Sequence, residues 1–244
     1  MAWSTTQKYL AEFIGTFALL LFGGGSAVFS LAGGLVEPLA RAVLVSAAFG
    51  FVLLALAYGF GDISGGHFNP AVTLSMALNR RMPLRDVVPY LVCQILGGLA
   101  GMAVVLGIVS GSSTALGLAQ TAALGSQAYA NPGPGAFSLG AVFLIEVALT
   151  FVFVLVIQLV TRPESSSKNL APVAIGLALL VTNLVAIPVD GASMNPVRSF
   201  APALLSYQWS GAQWALQESW LFWVAPIIGG LIAAVVEMAL RPRP

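Results

Sequence analysis

Six apolar runs, at roughly 7–30, 40–60, 86–110, 138–161, 169–188 and 219–240, are each long enough to cross a bilayer, which takes ~20 mostly apolar residues. Two shorter apolar pieces interrupt the series. "NPAVTLSMALN" at about 69–79 lies between the second and third runs, and "NPVRSFAPALL" at about 195–205 between the fifth and sixth. Each amounts to ~16 Å of helix at 1.5 Å per residue, half of a hydrocarbon layer of ~30 Å. The pattern predicts an all-α membrane protein with six transmembrane helices and two re-entrant half-helices. Residues 1–244 form one domain on this reading.

Composition agrees. Of 244 residues 58% are hydrophobic and 8% charged, where a soluble domain carries about 25% charged residues. A net charge of +1 gives no basic face for nucleic acid. Cys93 is the only cysteine, so no intrachain disulfide and no thiolate metal site is available. The first run contains Glu12 and exceeds the ~7–15 apolar residues of a cleavable signal core, so it is read as a retained span.

Loop charges set the orientation. If six spans alternate from an inside N-terminus, Lys8, Arg80, Arg81, Arg85, Arg162, Lys168, Arg241 and Arg243 all fall at one face, eight of the ten Lys and Arg residues. The connection from Gly111 to Phe137 carries no charge and falls at the other. The positive-inside rule then places both termini in the cytoplasm. Arg41 and Arg198 are the exceptions.

The chain also repeats itself. "AEFIGTF" at 11–17 is echoed by "IEVALTF" at 145–151, which aligns Glu12 with Glu146. "QILGGL" at 94–99 is echoed by "PIIGGL" at 226–231. The two copies, about 7–125 and 138–241, hold three spans and one half-helix each. An odd number of spans requires the second copy to enter the bilayer inverted, and such repeats place the working site near the midplane, where broken helices meet.

Asn is a favoured N-cap and Pro a favoured first helical residue, so Asn69-Pro70 and Asn195-Pro196 read as two helix starts. Irregular backbone survives in lipid only where protein buries it or it lines a wet cavity. Two helix N-termini meeting at the midplane each present about half a positive charge, which repels cations. These features predict a water-lined pore plugged by two opposed helix starts.

The paired "NPA" and "NPV", the context "SGGHFNPAVT" at 64–73, the paired glutamates and "NPVRS" at 195–199 closely resemble the aquaporin (major intrinsic protein) family over essentially the whole chain. The resemblance implies a homotetramer with one pore per subunit. It implies that Asn69 and Asn195 donate hydrogen bonds to water at the pore centre, and that Arg198, Phe49, Asn183 and Ala192 form the outer constriction. It implies that His67 supports the cytoplasmic pore entrance and that Glu12 and Glu146 brace the loops. Ser199, Ala203, Phe222 and Trp223 stand where water-type members carry Ser, Ala, an aromatic and Trp. Two positions depart from the pattern. Asn183 replaces a histidine of many bacterial water channels, which predicts a wider constriction. Val197 replaces the triad's closing Ala, and its extra methyls are expected where the half-helices touch, with overpacking of ~1–3 kcal/mol.

Glu12 and Glu146 suit proton relays in a coupled transporter, or else carboxylates that accept backbone N–H groups from broken loops; the second is preferred, because each has a broken helix to serve. His67 lacks the partners for a metal site. Asp62 and Asp190 are read as solvated or capping groups. "GGGSA" at 23–27 suits close helix packing, not phosphate binding. No nucleophile–base pair recommends an enzyme, and no cofactor is implied. The sequence thus predicts a passive channel passing water down osmotic gradients while excluding protons and ions. A broader neutral-solute channel (glycerol, urea, hydrogen peroxide, metalloid acids) is the alternative. A bacterial inner membrane is the expected location.

Overall fold

A computed structural model describes residues 3–34, 37–130 and 134–241; Arg243 lies outside them. Among the described residues six helices are long and apolar enough to cross a membrane: Thr5–Ala32, Pro38–Ser64, Leu84–Val109, Leu139–Thr161, Lys168–Asp190 and Gln213–Ala239. They are the first to sixth spans below. The expected runs match these to within a few residues, except that the sixth span gains a short leading helix, Gln213–Glu218. The two half-helices are Pro70–Leu78 and Pro196–Ser210. The second runs past its expected end near 205, because the stop is Gly211 in the left-handed region at φ 70°, which non-glycine residues seldom adopt.

Local chemistry places the helix starts. Ser4 and Gln7 form a reciprocal capping box on the first span, with Ser4 N donating to Gln7 Oε1 at 2.8 Å and Gln7 N to Ser4 Oγ at 3.3 Å, which satisfies amides no helical carbonyl reaches. Asn69 and Asn195 cap the half-helices in extended backbone, each followed by proline.

Glycines let the helices touch. A Cβ on Gly97 would lie 2.3 Å from Phe13 O, and one on Gly229 would lie 2.4 Å from Val147 O. Backbones therefore meet where the third span crosses the first and the sixth crosses the fourth. Gly50 and Gly176 do the same for the second and fifth spans, each facing the other's carbonyl oxygen. In lipid, where tails are as apolar as side chains, such small-residue contact is what holds helices together.

The neighbouring glycines reach across the halves. A Cβ on Gly230 would sit 2.8 Å from Ala71 O of the first half-helix, and one on Gly98 would sit 2.3 Å from Val197 Cγ1 of the second. The "GG" pairs thus do parallel work, one glycine on the partner span and one on the other half's half-helix. This corrects the expectation for Val197. Its methyl lies over Gly98 on the third span, which leaves room for it.

One end of the bundle gathers cationic and polar groups. Arg81 donates through Nη1 to Gln158 O at 3.0 Å and through Nη2 to Thr161 O at 2.6 Å, capping the fourth span. Asn79 Nδ2 donates to Gln158 Oε1 at 2.5 Å and to Glu237 Oε2 at 2.8 Å, and Arg241 pairs with Glu237 at 2.8 Å. Arg81, Arg241 and the end of the fourth span therefore share one end.

Gly98→Ala is expected to lower stability by about 1–3 kcal/mol through collision with Val197. Val197→Ala in the same chain should restore most of it. Apparent melting temperatures in detergent check both, and a double variant no better than the single one would refute the contact.

Candidate functional site

Each half-helix is preceded by a segment whose amides no helix can satisfy. Gly65 and Gly191, both at φ 93°, end the second and fifth spans. Four residues later the asparagines cap the half-helices. Between these points a buried glutamate serves each loop. Glu12 Oε1 accepts from His67 N at 2.9 Å and Oε2 from Phe68 N at 2.8 Å. Glu146 takes Ser193 N at 2.7 Å and Met194 N at 2.8 Å. Glu12 receives two further donors, Ser64 Oγ at 2.7 Å and Gln94 Nε2 at 2.8 Å. Neither glutamate lines the narrow cavity described below.

The two loops are tied reciprocally. Asn69 Nδ2 donates to Met194 O at 2.8 Å, and Asn195 Nδ2 donates to Phe68 O at 2.9 Å. Their Oδ1 atoms accept from the first turns of their own helices, Ala71 N at 2.8 Å and Val197 N at 3.0 Å. The carboxamide orientation follows, since oxygen must face the amides and nitrogen the carbonyls. A carboxamide has two N–H donors. Each asparagine spends one on the opposite loop and keeps one without a protein partner among the described residues.

Both asparagines border a narrow cavity of about 20 Å³ with Phe49, His67, Asn183, Ser193 and Arg198, enough to seat about one water molecule. His67 is nearly buried, with Nδ1 3.2 Å from Thr73 Oγ1. Gln94 Nε2 donates to that hydroxyl at 2.9 Å, which frees the Thr73 proton for Nδ1 and favours the tautomer with Nε2–H. Asn183 turns Nδ2 back to Leu179 O of its own helix at 2.8 Å. Ala192 is fully buried at φ 58°, and its methyl is not among the cavity's lining.

Arg198 borders this cavity and also a wide vestibule of about 610 Å³. It stands where the two meet. Nη1 donates to Gly125 O at 3.0 Å and Nη2 to Gly191 O at 3.3 Å. Its guanidinium carbon lies 5.2 Å from the Phe49 ring centroid, a cation–π contact. Arg41, the other cation outside the basic face, borders the same vestibule.

A model of the family described as Major intrinsic protein matches residues 1–237. The chain belongs to the major intrinsic protein family. It is 43% identical over 239 residues to a protein named Aquaporin Z from Rhodopseudomonas palustris, covering 98% of this chain and 95% of that one. It is 41% identical over 239 residues to an Aquaporin Z from Brucella melitensis biotype 1, covering 97% and 99%. The fold is similar to the X-ray structure of the aquaglyceroporin from Plasmodium falciparum, with TM-score 0.81, 23% identity and 95% of each chain covered. With six apolar spans, this family member is a multi-pass integral membrane protein.

Several residues that position the site went unassigned in the sequence. Gln94 joins Glu12 to Thr73, and Gly125 O holds Arg198. A π-helical turn at Leu20–Gly24, a feature frequent at functional sites, brings Gly23 under Phe49. Only the echo "QILGGL" had marked Gln94's neighbourhood. Asp190, read as solvated or capping, does cap, accepting from Ala192 N at 2.7 Å. It is not solvated, being fully buried.

A Cβ on Gly23 would lie 2.3 Å from Phe49 Cδ1, whereas one on Gly59 meets open space. Gly23→Ala is expected to displace the ring from Arg198 and alter the light-scattering rates of reconstituted vesicles. Gly59→Ala is the control expected to change nothing.

Proposed function

We propose that this chain is a passive channel that conducts water down osmotic gradients while excluding protons and ions. The observation that carries the reading is the pair of asparagines, each tied by one N–H to the opposite loop and each keeping one N–H free, at a cavity with room for about one water molecule. The relatives named Aquaporin Z support it.

The mechanism needs no chemical step. Water enters the vestibule and meets Arg198, whose fixed positive charge opposes cations in a setting where solvent screening is weak. At the centre the free N–H groups of Asn69 and Asn195 donate to one water oxygen. That oxygen is then occupied as an acceptor and cannot take a proton from the next water in the file. The positive ends of both half-helices add to the barrier. Below the centre, the Nε2–H of His67 offers the next donor. Glu12 and Glu146 hold the loop backbone, and the four donors on Glu12 leave it little capacity to relay protons.

Phe49, Asn183 and Arg198, which border the narrow cavity, form the constriction, and Ala192 stands buried behind its wall. The narrow bore supports water over glycerol-sized solutes. Residues 7–125 and 138–241 form an inverted repeat, a reading supported by the parallel contacts of the glutamates and "GG" pairs. The subunit assembles as a homotetramer in a bacterial inner membrane with both termini in the cytoplasm; the bacterial relatives and the basic end of the bundle support this placement.

Arg198→Val is expected to admit protons or monovalent cations, read as conductance under voltage clamp; an unchanged leak would remove Arg198 from the barrier. Asn183→His is expected to lower glycerol permeation relative to water in the same vesicles. An unchanged ratio would take Asn183 out of the filter.

A further inference from the structure

The two loops, 64–69 and 190–195, correspond position by position around a shared glycine and asparagine, and where the first begins with a serine the second begins with an aspartate. Ser64 and Asp190 are the last residues of the second and fifth spans, each followed by glycine at φ 93°. Ser64 Oγ accepts from Gly66 N at 3.1 Å and donates to Glu12 Oε1 at 2.7 Å. Asp190 Oδ1 accepts from Ala192 N at 2.7 Å, the corresponding amide. Its other oxygen, Oδ2, is buried with no hydrogen-bond donor among the described residues. The Glu146 carboxyl is its immediate neighbour, taking the next two amides, Ser193 N and Met194 N. Two carboxyl groups therefore sit side by side on the consecutive amides of Ala192, Ser193 and Met194, in a setting where Asp190 and Glu146 are both fully buried.

The second loop is also short of donors. Gln94, which gives Glu12 its fourth hydrogen bond, corresponds in the "QILGGL" and "PIIGGL" echo to Pro226, which has no side-chain donor. Two ionised carboxylates in contact cannot both be stable in a medium this poor in donors, and such pairs share a proton. One proton on Asp190 Oδ2 resolves every mismatch. It supplies the missing donor, gives Glu146 a third hydrogen bond, and leaves a single negative charge to face Arg198.

We propose that Asp190 is a positioning residue that works as a neutral carboxylic acid at neutral pH, donating to Glu146 as the Ser64 hydroxyl donates to Glu12 and holding the turn whose Gly191 carbonyl anchors Arg198. Unlike serine, this link can be titrated. Ionisation in alkaline solution turns a hydrogen bond into a repulsion directly behind the constriction, so the loop is held below that transition and loosened above it. The charged groups facing Asp190 are Glu146 from the fourth span and Arg198 from the second half-helix. Glu37 and Arg41 border the vestibule beyond Gly191, and the connecting segment presents the uncharged Gln127.

The proposal rests on the channel reading only for its flux consequence, and two measurements on full-length protein in liposomes test it separately. Infrared spectra at neutral pH are expected to contain the C=O stretch of a protonated carboxylic acid in wild type that is missing in Asp190→Asn. Identical wild-type and variant spectra in that region would overturn the assignment. Stopped-flow water permeability of wild type is expected to fall reversibly by at least half in alkaline buffer. Asp190→Asn and Asp190→Ser, which keep an uncharged donor, should hold their neutral-pH rates throughout; an alkaline fall in these variants parallel to wild type would also overturn it. If neither wild type nor variants exceed empty liposomes in permeability, the channel reading fails, while the infrared result still decides the state of Asp190.

Discussion

The structure depends on how a membrane protein satisfies backbone amides where its helices break. A broken helix in lipid leaves N–H and C=O groups with no water to receive them, each worth several kcal/mol if left unpaired. Here two buried glutamates take the loop amides at 67–68 and 193–194, and two asparagine side chains take the carbonyls at 194 and 68. Each loop is thus satisfied partly by a neighbouring span and partly by the other loop. The arrangement is rigid because neither loop is complete without its counterpart.

That mutual dependence shapes the pore. Tying each asparagine to the opposite carbonyl fixes both carboxamide planes and directs the remaining N–H groups to one place, so their donor geometry is set before a water arrives. The same economy governs Arg198. Two carbonyls and an aromatic face hold its guanidinium in one position, and the glycines beneath Phe49 and beside Val197 let those side chains come close enough. The halves differ where chemistry differs. The first brace is fully supplied with neutral donors, whereas the second carries an extra carboxyl and a proline in place of glutamine.

Much of this was legible in the residues. Apolar runs report spans because bilayer thickness sets their length, and Asn-Pro reports a helix start because its preferences are local. The glutamates were legible because a charge in an apolar run demands a partner, and a broken helix lay in the same repeat. Harder to read were features whose meaning lies in what they touch. Nothing local to Val197 announces that Gly98 makes room for it. Nothing local to Asp190 distinguishes a solvated cap from a buried one. The second half-helix outlasted its expected end because Leu205 looked like the end of the apolar stretch, while the physical stop was a left-handed glycine six residues on.

The sequence by itself determined the class of molecule: six spans, two half-length helices, a repeat, and the residues that the pore reading would draw together. These follow from periodicity, length and composition, which act over neighbouring residues. The tertiary structure decided which of those residues share a cavity, how narrow it is, and where each spare donor points. Such facts arise from contacts between positions more than a hundred residues apart, as between Asn69 and Met194, and no short stretch of chain encodes a distance of that kind.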